Sequence, residues 1–113
     1  MSESARVNMI ETQIRPDGVT DARVLGAMAA VARERFVPTA QKARAYADVP
    51  VEVVPGRFLL DPRSFAKLLQ LARVTAEDRV LDVGCATGYS SAVLARMGKR
   101  VVALEQDADL VRI

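Results

Sequence analysis

The sequence has no histidine, no tryptophan and only one cysteine. Histidine is the commonest general base and a frequent metal ligand, so its absence argues against a histidine-dependent site, and we expect no metal site. The single cysteine, Cys85, cannot form an internal disulfide, which favours a reducing, cytoplasmic setting. Aromatic residues make up 4% of the chain, which is too few to support a base-stacking surface for nucleic acid.

The length and charge of the chain indicate one globular domain. A chain of 113 residues allows a single domain, and 50% hydrophobic with 27% charged residues is typical of a folded protein. The net charge of +2 is too small to indicate a nucleic-acid partner. The first residues include Glu3, Arg6 and Glu11, which argues against a signal peptide and a membrane span there. We therefore expect a cytoplasmic protein with neither a nucleic-acid nor a membrane partner.

Apolar residues recur at helical spacing through residues 1–75, which predicts a helical N-terminal part. The first helix should end near Arg15, because Pro16 follows. Asp21 is the expected N-cap of the second helix, and the third should start near Ser64. The segment 51–54 fits either a short strand or an extended stretch. The stripes that predict the three helices are Val7-Ile10-Ile14, Leu25-Met28-Ala29-Ala32 and Phe65-Leu68-Leu69-Ala72.

Residues 76–113 follow a strand–loop–helix–strand pattern. An apolar run over residues 80–83 predicts a short buried strand, and two glycines then bracket a tight loop over 84–88. A helix is expected over 90–97, and a second buried strand over 101–104 ends in Glu105. Such a unit brings backbone N–H groups and a helix N-terminus close to a nucleotide-like ligand. A carboxylate at the end of the second strand can accept hydrogen bonds from ribose hydroxyls.

This order of elements predicts an α/β fold that is incomplete within the 113 residues. Parallel sheets bury both faces and usually have several strands, yet only two convincing parallel strands are present. Either another chain or segment completes the sheet, which allows an oligomer, or these residues are the front part of a longer protein. We favour the second interpretation. We therefore expect one incomplete domain over 1–113, with a helical part over 1–75 and a ligand-binding part over 76–113.

The glycine loop fails two familiar nucleotide-binding fingerprints. The dinucleotide fingerprint needs glycines at positions 86 and 89, where this chain has Ala86 and Tyr89. A P-loop needs glycine at position 89 followed by lysine, where this chain has Ser90. The loop therefore matches neither the dinucleotide-binding nor the P-loop class.

The pattern that fits is Asp-x-Gly-x-Ala-x-Gly over 82–88, with an acid downstream at Glu105. It resembles motif I of class I S-adenosylmethionine-dependent methyltransferases, whose usual form is Glu/Asp-x-Gly-x-Gly-x-Gly. The resemblance implies that the loop backbone packs against S-adenosyl-L-methionine, that Asp82 lies near its amino-acid end, and that Glu105 takes the ribose. Ala86 departs from the usual middle glycine. The cofactor-binding residues implied by the resemblance are Asp82, Gly84, Cys85, Ala86, Thr87, Gly88 and Glu105.

Segments upstream of the loop narrow the resemblance. Residues 21–28 (Asp-Ala-Arg-Val-Leu-Gly-Ala-Met), 33–38 (Arg-Glu-Arg-Phe-Val-Pro) and 45–48 (Ala-Tyr-Ala-Asp) are similar to the N-terminal part of protein-L-isoaspartate O-methyltransferases. The match spans most of residues 7–106. It implies a Rossmann-like class I methyltransferase fold and an enzyme of protein repair. Such an enzyme transfers a methyl group to the free carboxylate of an isoaspartyl residue in a protein or peptide.

One segment departs from that family's pattern. The family typically has Gly-Gln-Thr-Ile-Ser-Gln-Pro over 56–62, and its Thr and Ser hydroxyls lie at the substrate carboxylate. This chain has Phe58 and Leu60 at those places, so the resemblance assigns no catalytic residue. Arg57, beside them, is a candidate to attract an acidic substrate. A second interpretation is therefore a catalytically silent homologue that binds the cofactor or another protein.

Other residues allow two readings from the sequence. Cys85 lies near a helix N-terminus, where a thiol pKa can fall, but we expect it to be a small loop residue without a nucleophilic role. Tyr89 contacts the cofactor or packs at the start of the helix. A basic run forms either a solvated helix face or a surface for an anionic partner; it consists of Arg33, Arg35, Lys42 and Arg44.

Overall fold

This computed structural model describes residues 2–111, which form helices around two small sheets. The domain was expected to span 1–113, and its terminal residues Met1 and 112–113 lie outside the described residues. No helix within 2–111 is long and apolar enough to cross a membrane. The helices are α1 (Ser2–Met9), α2 (Ala22–Ala30), α3 (Pro62–Ala72), α4 (Tyr89–Ala95) and α5 (Ala108–Val111), with shorter helical turns at Ile10–Ile14, Arg15–Asp17, Arg33–Phe36 and Thr39–Arg44. The strands are β1 (Val51–Val54), β2 (Arg57–Leu59), β3 (Arg79–Val83) and β4 (Arg100–Leu104).

Side-chain caps set the start of two helices in the N-terminal part. The Asp21 carboxylate accepts a hydrogen bond from the backbone N–H of Arg23 at 2.9 Å, which confirms Asp21 as the N-cap of α2. Helix α3 begins two residues before the predicted Ser64. Its cap is Asp61, whose carboxylate accepts from the Ser64 N–H at 2.9 Å, and Pro62 occupies the first turn, where a missing N–H costs nothing.

A β-hairpin lies within the N-terminal part, which was expected to be mainly helical with a strand or extended stretch at 51–54. Strands β1 and β2 pair antiparallel, with Val51 opposite Leu59 and an irregularity between Glu52 and Val54. Of the two possibilities left open for residues 51–54, a short strand or an extended stretch, the structure shows the strand. The sequence pattern did not predict strand β2, because this strand has only three residues and is too short to show an alternating pattern.

The strand–loop–helix–strand unit is confirmed. Strands β3 and β4 pair in parallel, in a register that runs from Arg79 opposite Arg100 to Val83 opposite Leu104. Each strand begins one residue earlier than the apolar run predicted. Because the two strands are parallel, their carboxyl ends meet at one edge, and the glycine loop lies beside Glu105.

The prediction that β3 and β4 are buried strands was wrong for one face of the sheet. Val80 and Val101 on the other face pack against the core, which includes buried Val93 and Leu94 of α4. Within residues 2–111 nothing covers the opposite face enough to bury it. Its exposed apolar side chains are Leu81, Val83, Val102 and Leu104, which are 45–72% exposed.

The core lies among the N-terminal helices, α3 and α4. Met9 and Met28 are 1% and 0% exposed, so both methionines belong to the core. Ile14 from the N-terminal turns and Val93 from α4 are fully buried. Burial of α4 in this core holds the start of that helix, and with it the glycine loop, in one position.

Candidate functional site

The carboxyl ends of β3 and β4 border a cleft of about 690 Å³, which we call the strand-end cleft. Ligands of open α/β sheets bind outside the carboxyl ends of the strands, and this volume is typical of small-molecule sites. The cleft is therefore where the fold favours a ligand. Its lining residues are Arg57, Val83, Gly84, Leu104, Glu105 and Gln106.

The glycine loop has a left-handed backbone at each position of its small-residue pattern. The φ angles are 71° at Gly84, 54° at Ala86 and 99° at Gly88. Glycine adopts such angles without a steric penalty, whereas a Cβ makes them costly by roughly 1–2 kcal/mol. Ala86 thus holds the conformation that a middle glycine would adopt freely, and the loop keeps its shape at the expense of local strain.

Several backbone N–H groups of the loop have partners inside the protein. The N–H groups of Gly84 and Cys85 donate to the Leu104 carbonyl at 2.8 and 3.1 Å, and that of Gly88 donates to the Cys85 carbonyl at 3.0 Å. These three N–H groups are therefore already paired within the protein. The N–H groups of Gly84 and Cys85 hold the loop against the end of β4, and that of Gly88 closes the turn within the loop.

Glu105 is the most heavily hydrogen-bonded side chain of the cleft. Oε1 accepts from Arg57 Nη2 at 2.7 Å and from the Ala86 N–H at 2.8 Å. Oε2 accepts from Arg57 Nη1 at 3.0 Å and from the Asp107 N–H at 2.9 Å. Above all the hydrogen bonds from Arg57, and then those from the backbone, lower the pKa of Glu105 to about 2, so the side chain is a carboxylate at neutral pH.

Asp82, the acid of the loop pattern, is held by the first turn of α4. Its Oδ2 accepts from the hydroxyl of Ser90 at 2.6 Å and from that of Ser91 at 2.7 Å. Sequence reasoning missed both serines; the only signal was a pair of hydroxyl residues in the first turn after the loop. Their hydrogen bonds fix the direction of the Asp82 carboxylate relative to α4.

The Cys85 side chain is buried, and the Thr87 side chain is hydrogen-bonded within the protein. The Cys85 thiol is buried, and burial followed by the charges of Asp82 and Glu105 raises its pKa, the opposite of activation at a helix N-terminus. This supports the reading of Cys85 as a small loop residue. The Thr87 hydroxyl donates to the Phe36 carbonyl at 2.6 Å and so ties the loop to the preceding helical turn.

Tyr89 packs at the start of α4 and is 2% exposed, which resolves its two readings in favour of packing. Its ring lies 5.8 Å from that of Phe36 in an edge-on arrangement and 5.4 Å from that of Phe65 in a tilted one. Such aromatic pairs add about 0.5–1.5 kcal/mol to the burial of their area. The cluster joins the loop, α3 and the 33–36 turn.

Arg33 was expected on a helix surface, and that expectation was wrong. Its side chain is fully buried, with Nε donating to the Ala45 carbonyl at 2.6 Å and Nη2 to the Leu60 carbonyl at 2.7 Å. The guanidinium lies 4.7 Å from the centre of the Tyr89 ring. It is buried because it supplies donors to two carbonyls that belong to irregular segments. The remaining residues of the basic run are exposed, which fits both readings of that run: Arg35, Lys42 and Arg44.

Phe58 and Leu60 border a second cavity, of about 430 Å³, that also contacts Asp82 and Gly84. Their exposed fractions are 54% and 47%. These two apolar residues thus lie beside the glycine loop, at the positions where the family resemblance implies hydroxyl groups. Nothing at the two positions can hydrogen-bond a substrate carboxylate through its side chain.

Comparisons with known proteins agree on one family. The model of the protein-L-isoaspartate(D-aspartate) O-methyltransferase family matches residues 4–113. The Methylorubrum populi protein-L-isoaspartate O-methyltransferase is 43% identical over 97% of this chain and 52% of the relative, and that of Methylorubrum extorquens is 45% identical over 94% and 46%. The chain spans about half the length of these curated relatives.

Two solved structures share the fold. The Plasmodium falciparum protein-L-isoaspartate O-methyltransferase, in complex with S-adenosyl-L-homocysteine, aligns with a TM-score of 0.74 at 26% identity, over 98% of this chain and 51% of that one. A second protein-L-isoaspartate O-methyltransferase aligns at 0.75 and 23% identity, over 100% of this chain and 36% of that one. The Rossmann-like methyltransferase fold expected from the sequence is confirmed. The chain belongs to the protein-L-isoaspartate(D-aspartate) O-methyltransferase family.

Proposed function

We propose that this chain binds S-adenosyl-L-methionine in the strand-end cleft and serves methyl transfer to a carboxylate of a protein or peptide. One observation carries the proposal: in a member of this family, Glu105 and the glycine loop meet at the carboxyl ends of two parallel strands. The complex of the Plasmodium falciparum relative with S-adenosyl-L-homocysteine supports the choice of cofactor. The residues proposed to contact it are Asp82, Gly84, Cys85, Ala86, Thr87, Gly88 and Glu105. Gly84 and Glu105 line the strand-end cleft itself, and the others belong to the end of β3 and the adjoining loop.

The strand-end cleft and the glycine loop beside it fit this cofactor in shape and charge. The left-handed backbone at Gly84 and Gly88 leaves room for a close approach, since neither residue has a Cβ. The ionised Glu105 carboxylate can accept hydrogen bonds from two ribose hydroxyls when the two donors of Arg57 withdraw from it. We propose that the Asp82 carboxylate, which is held by hydrogen bonds from two serines, faces the amino-acid end of the cofactor.

The proposed chemistry asks little of the protein beyond orientation. When bound, S-adenosyl-L-methionine supplies a methyl group that is activated by its sulfonium. An acceptor carboxylate has an ordinary pKa near 4 and is ionised at neutral pH, so its attack needs no general base. The protein contributes by holding the acceptor in line and excluding water. This explains how the reaction can proceed at a site without histidine.

The apolar residues at the second cavity favour an alternative, a catalytically silent homologue that binds the cofactor or a protein partner. Phe58 and Leu60 offer no hydroxyl to position an acceptor carboxylate. Loss of one positioned donor costs on the order of 10²–10³ in rate at comparable sites. The exposed apolar face of β3 and β4 supports association with another protein or a second copy. In either case we propose a cytoplasmic site of action, which suits a single unpaired cysteine.

Calorimetric titration with S-adenosyl-L-homocysteine tests cofactor binding. We expect saturable heat with the unaltered chain, and an affinity reduced by at least about tenfold in Asp82→Ala and Glu105→Ala, because each loses a charged hydrogen-bond acceptor. Circular dichroism of each variant checks that it is folded. Absence of heat with the folded, unaltered chain contradicts the proposal.

A methylation assay with an isoaspartyl peptide, run beside size-exclusion chromatography, separates the two functions. Incorporation of labelled methyl groups supports the enzyme and rules out the silent homologue. A stable oligomer that binds S-adenosyl-L-homocysteine but leaves the peptide unmethylated supports the silent homologue.

A further inference from the structure

Arg57 reaches from β2 into the strand-end cleft. Its guanidinium grips Glu105 with two parallel hydrogen bonds, of 3.0 Å from Nη1 to Oε2 and 2.7 Å from Nη2 to Oε1. Such bidentate pairs between a guanidinium and a carboxylate are among the stronger polar contacts in proteins. The contact links the β-hairpin to the end of β4. It also places a cation on the carboxylate that the proposed function assigns to the ribose.

The hydrogen bonds of Glu105 leave no room for a ribose. A carboxylate offers about four lone-pair sites, and Glu105 accepts four hydrogen bonds, two from Arg57 and one each from the N–H groups of Ala86 and Asp107. The Glu105 side chain is 3% exposed, so it has no further side open to a ligand. Two ribose hydroxyls can therefore bind only where two of these donors withdraw.

Arg57 is the donor that can withdraw. The other two donors are backbone groups, and the loop conformation depends on one of them, at Ala86. The Arg57 side chain is 33% exposed and lies beside the Pro55–Gly56 turn, so its guanidinium can move into water without opening the core. Its two donors match in number the two hydroxyls that would replace them.

We propose that Arg57 is a latch on the cofactor site, which competes with the ribose hydroxyls for Glu105 and so determines cofactor affinity. The inference rests on the proposed function. The family typically has glutamine at this place, and a neutral amide cannot form the bidentate ion pair. Cofactor affinity is then the intrinsic affinity reduced by the fraction of molecules with the latch open.

The latch predicts an unusual response to salt. Salt reaches the ion pair only from its Arg57 side, which is 33% exposed, and screens it in part. The Debye length falls from about 10 Å at about 0.1 M salt to about 3 Å at about 1 M. Salt should therefore open the latch and raise the affinity for a neutral ribose-bearing ligand such as adenosine. If Arg57 instead bound a ligand anion directly, salt would lower the affinity for that ligand.

Calorimetric titrations of the full chain test the latch, with S-adenosyl-L-homocysteine and with adenosine, each at about 0.1 M and about 1 M sodium chloride. Arg57→Gln should bind both ligands about tenfold more tightly than the unaltered chain at the lower salt. Arg57→Lys, which keeps the charge but not the fork, should lie between the two. Arg44→Gln, which removes the same charge from an exposed helical turn, should match the unaltered chain.

The outcomes distinguish failure of the latch from failure of the proposed function. Heat in all forms, with Arg57→Gln no tighter than the unaltered chain, overturns the latch and leaves the proposed function intact. An affinity of Arg57→Gln for adenosine that still rises with salt also overturns the latch. Heat in none of the folded forms overturns the proposed function, and the latch with it.

Discussion

Replacing Arg33 with methionine should destabilise the fold strongly. The guanidinium donates to the Ala45 and Leu60 carbonyls at 2.6 and 2.7 Å, and each such hydrogen bond from a charged donor contributes about 1.5–3 kcal/mol. Stacking on Tyr89 adds about 2 kcal/mol for a desolvated cation. Release of a buried charge offsets part of this sum, since burial of a cation is costly. We expect a net loss of about 3–5 kcal/mol in the free energy of unfolding.

Urea denaturation followed by far-ultraviolet circular dichroism measures this loss, because the chain has no tryptophan to report by fluorescence. Arg35→Met is the matched control: Arg35 is exposed and two residues away, so its replacement should change stability by less than about 0.5 kcal/mol. Methionine fills a similar volume to arginine, so a cavity does not explain the effect. A loss below about 1 kcal/mol in Arg33→Met, or an equal loss in both variants, would refute the claim that the buried Arg33 side chain stabilises the fold through these hydrogen bonds.

Glu105→Gln should be less stable than the unaltered chain at neutral pH, and the difference in stability should vanish as the pH falls from 4.5 to about 2. Folding lowers the pKa of Glu105 from 4.5 to about 2, so the ionised carboxylate stabilises the fold above pH 4.5 and this stabilisation is lost as the carboxylate is protonated. Urea titrations across pH check this, and a constant difference would contradict it. Ala86→Gly should change stability by less than about 1 kcal/mol, since relief of left-handed strain offsets the lost methyl group, whereas Ala66→Gly within α3 should cost about 1–2 kcal/mol. Equal losses in the two variants would disprove the strain at Ala86. Thr87→Val should cost about 1 kcal/mol, because the Phe36 carbonyl loses its donor; an unchanged urea midpoint would argue against that contact.

The sequence predicted the elements that local patterns determine. Residues 80–104 were assigned correctly as strand, glycine loop, helix and strand, because apolar runs and glycines are short-range signals. Asp21 was found as an N-cap for the same reason. The hairpin was only half predicted, since β1 fits a strand pattern and β2 is too short to show one.

The contacts that define the candidate site could not be predicted, because they join distant parts of the chain. Arg57 and Glu105 are 48 residues apart, and nothing in either neighbourhood indicates the other. Arg33 lies in a basic run typical of a solvated face, and its burial depends on carbonyls 12 and 27 residues away. The exposed face of β3 was missed because an apolar run does not tell which side of a sheet is covered.

The central claim is that the strand-end cleft binds the cofactor, and an amide NMR titration with S-adenosyl-L-homocysteine tests it most directly. The account predicts saturable shifts at the amides of Gly84, Ala86 and Asp107, which lie in the loop or donate to Glu105. Amides of α1 should remain unchanged. Saturable shifts that leave these loop amides unmoved, or a spectrum that does not respond to the ligand at all, would contradict the account.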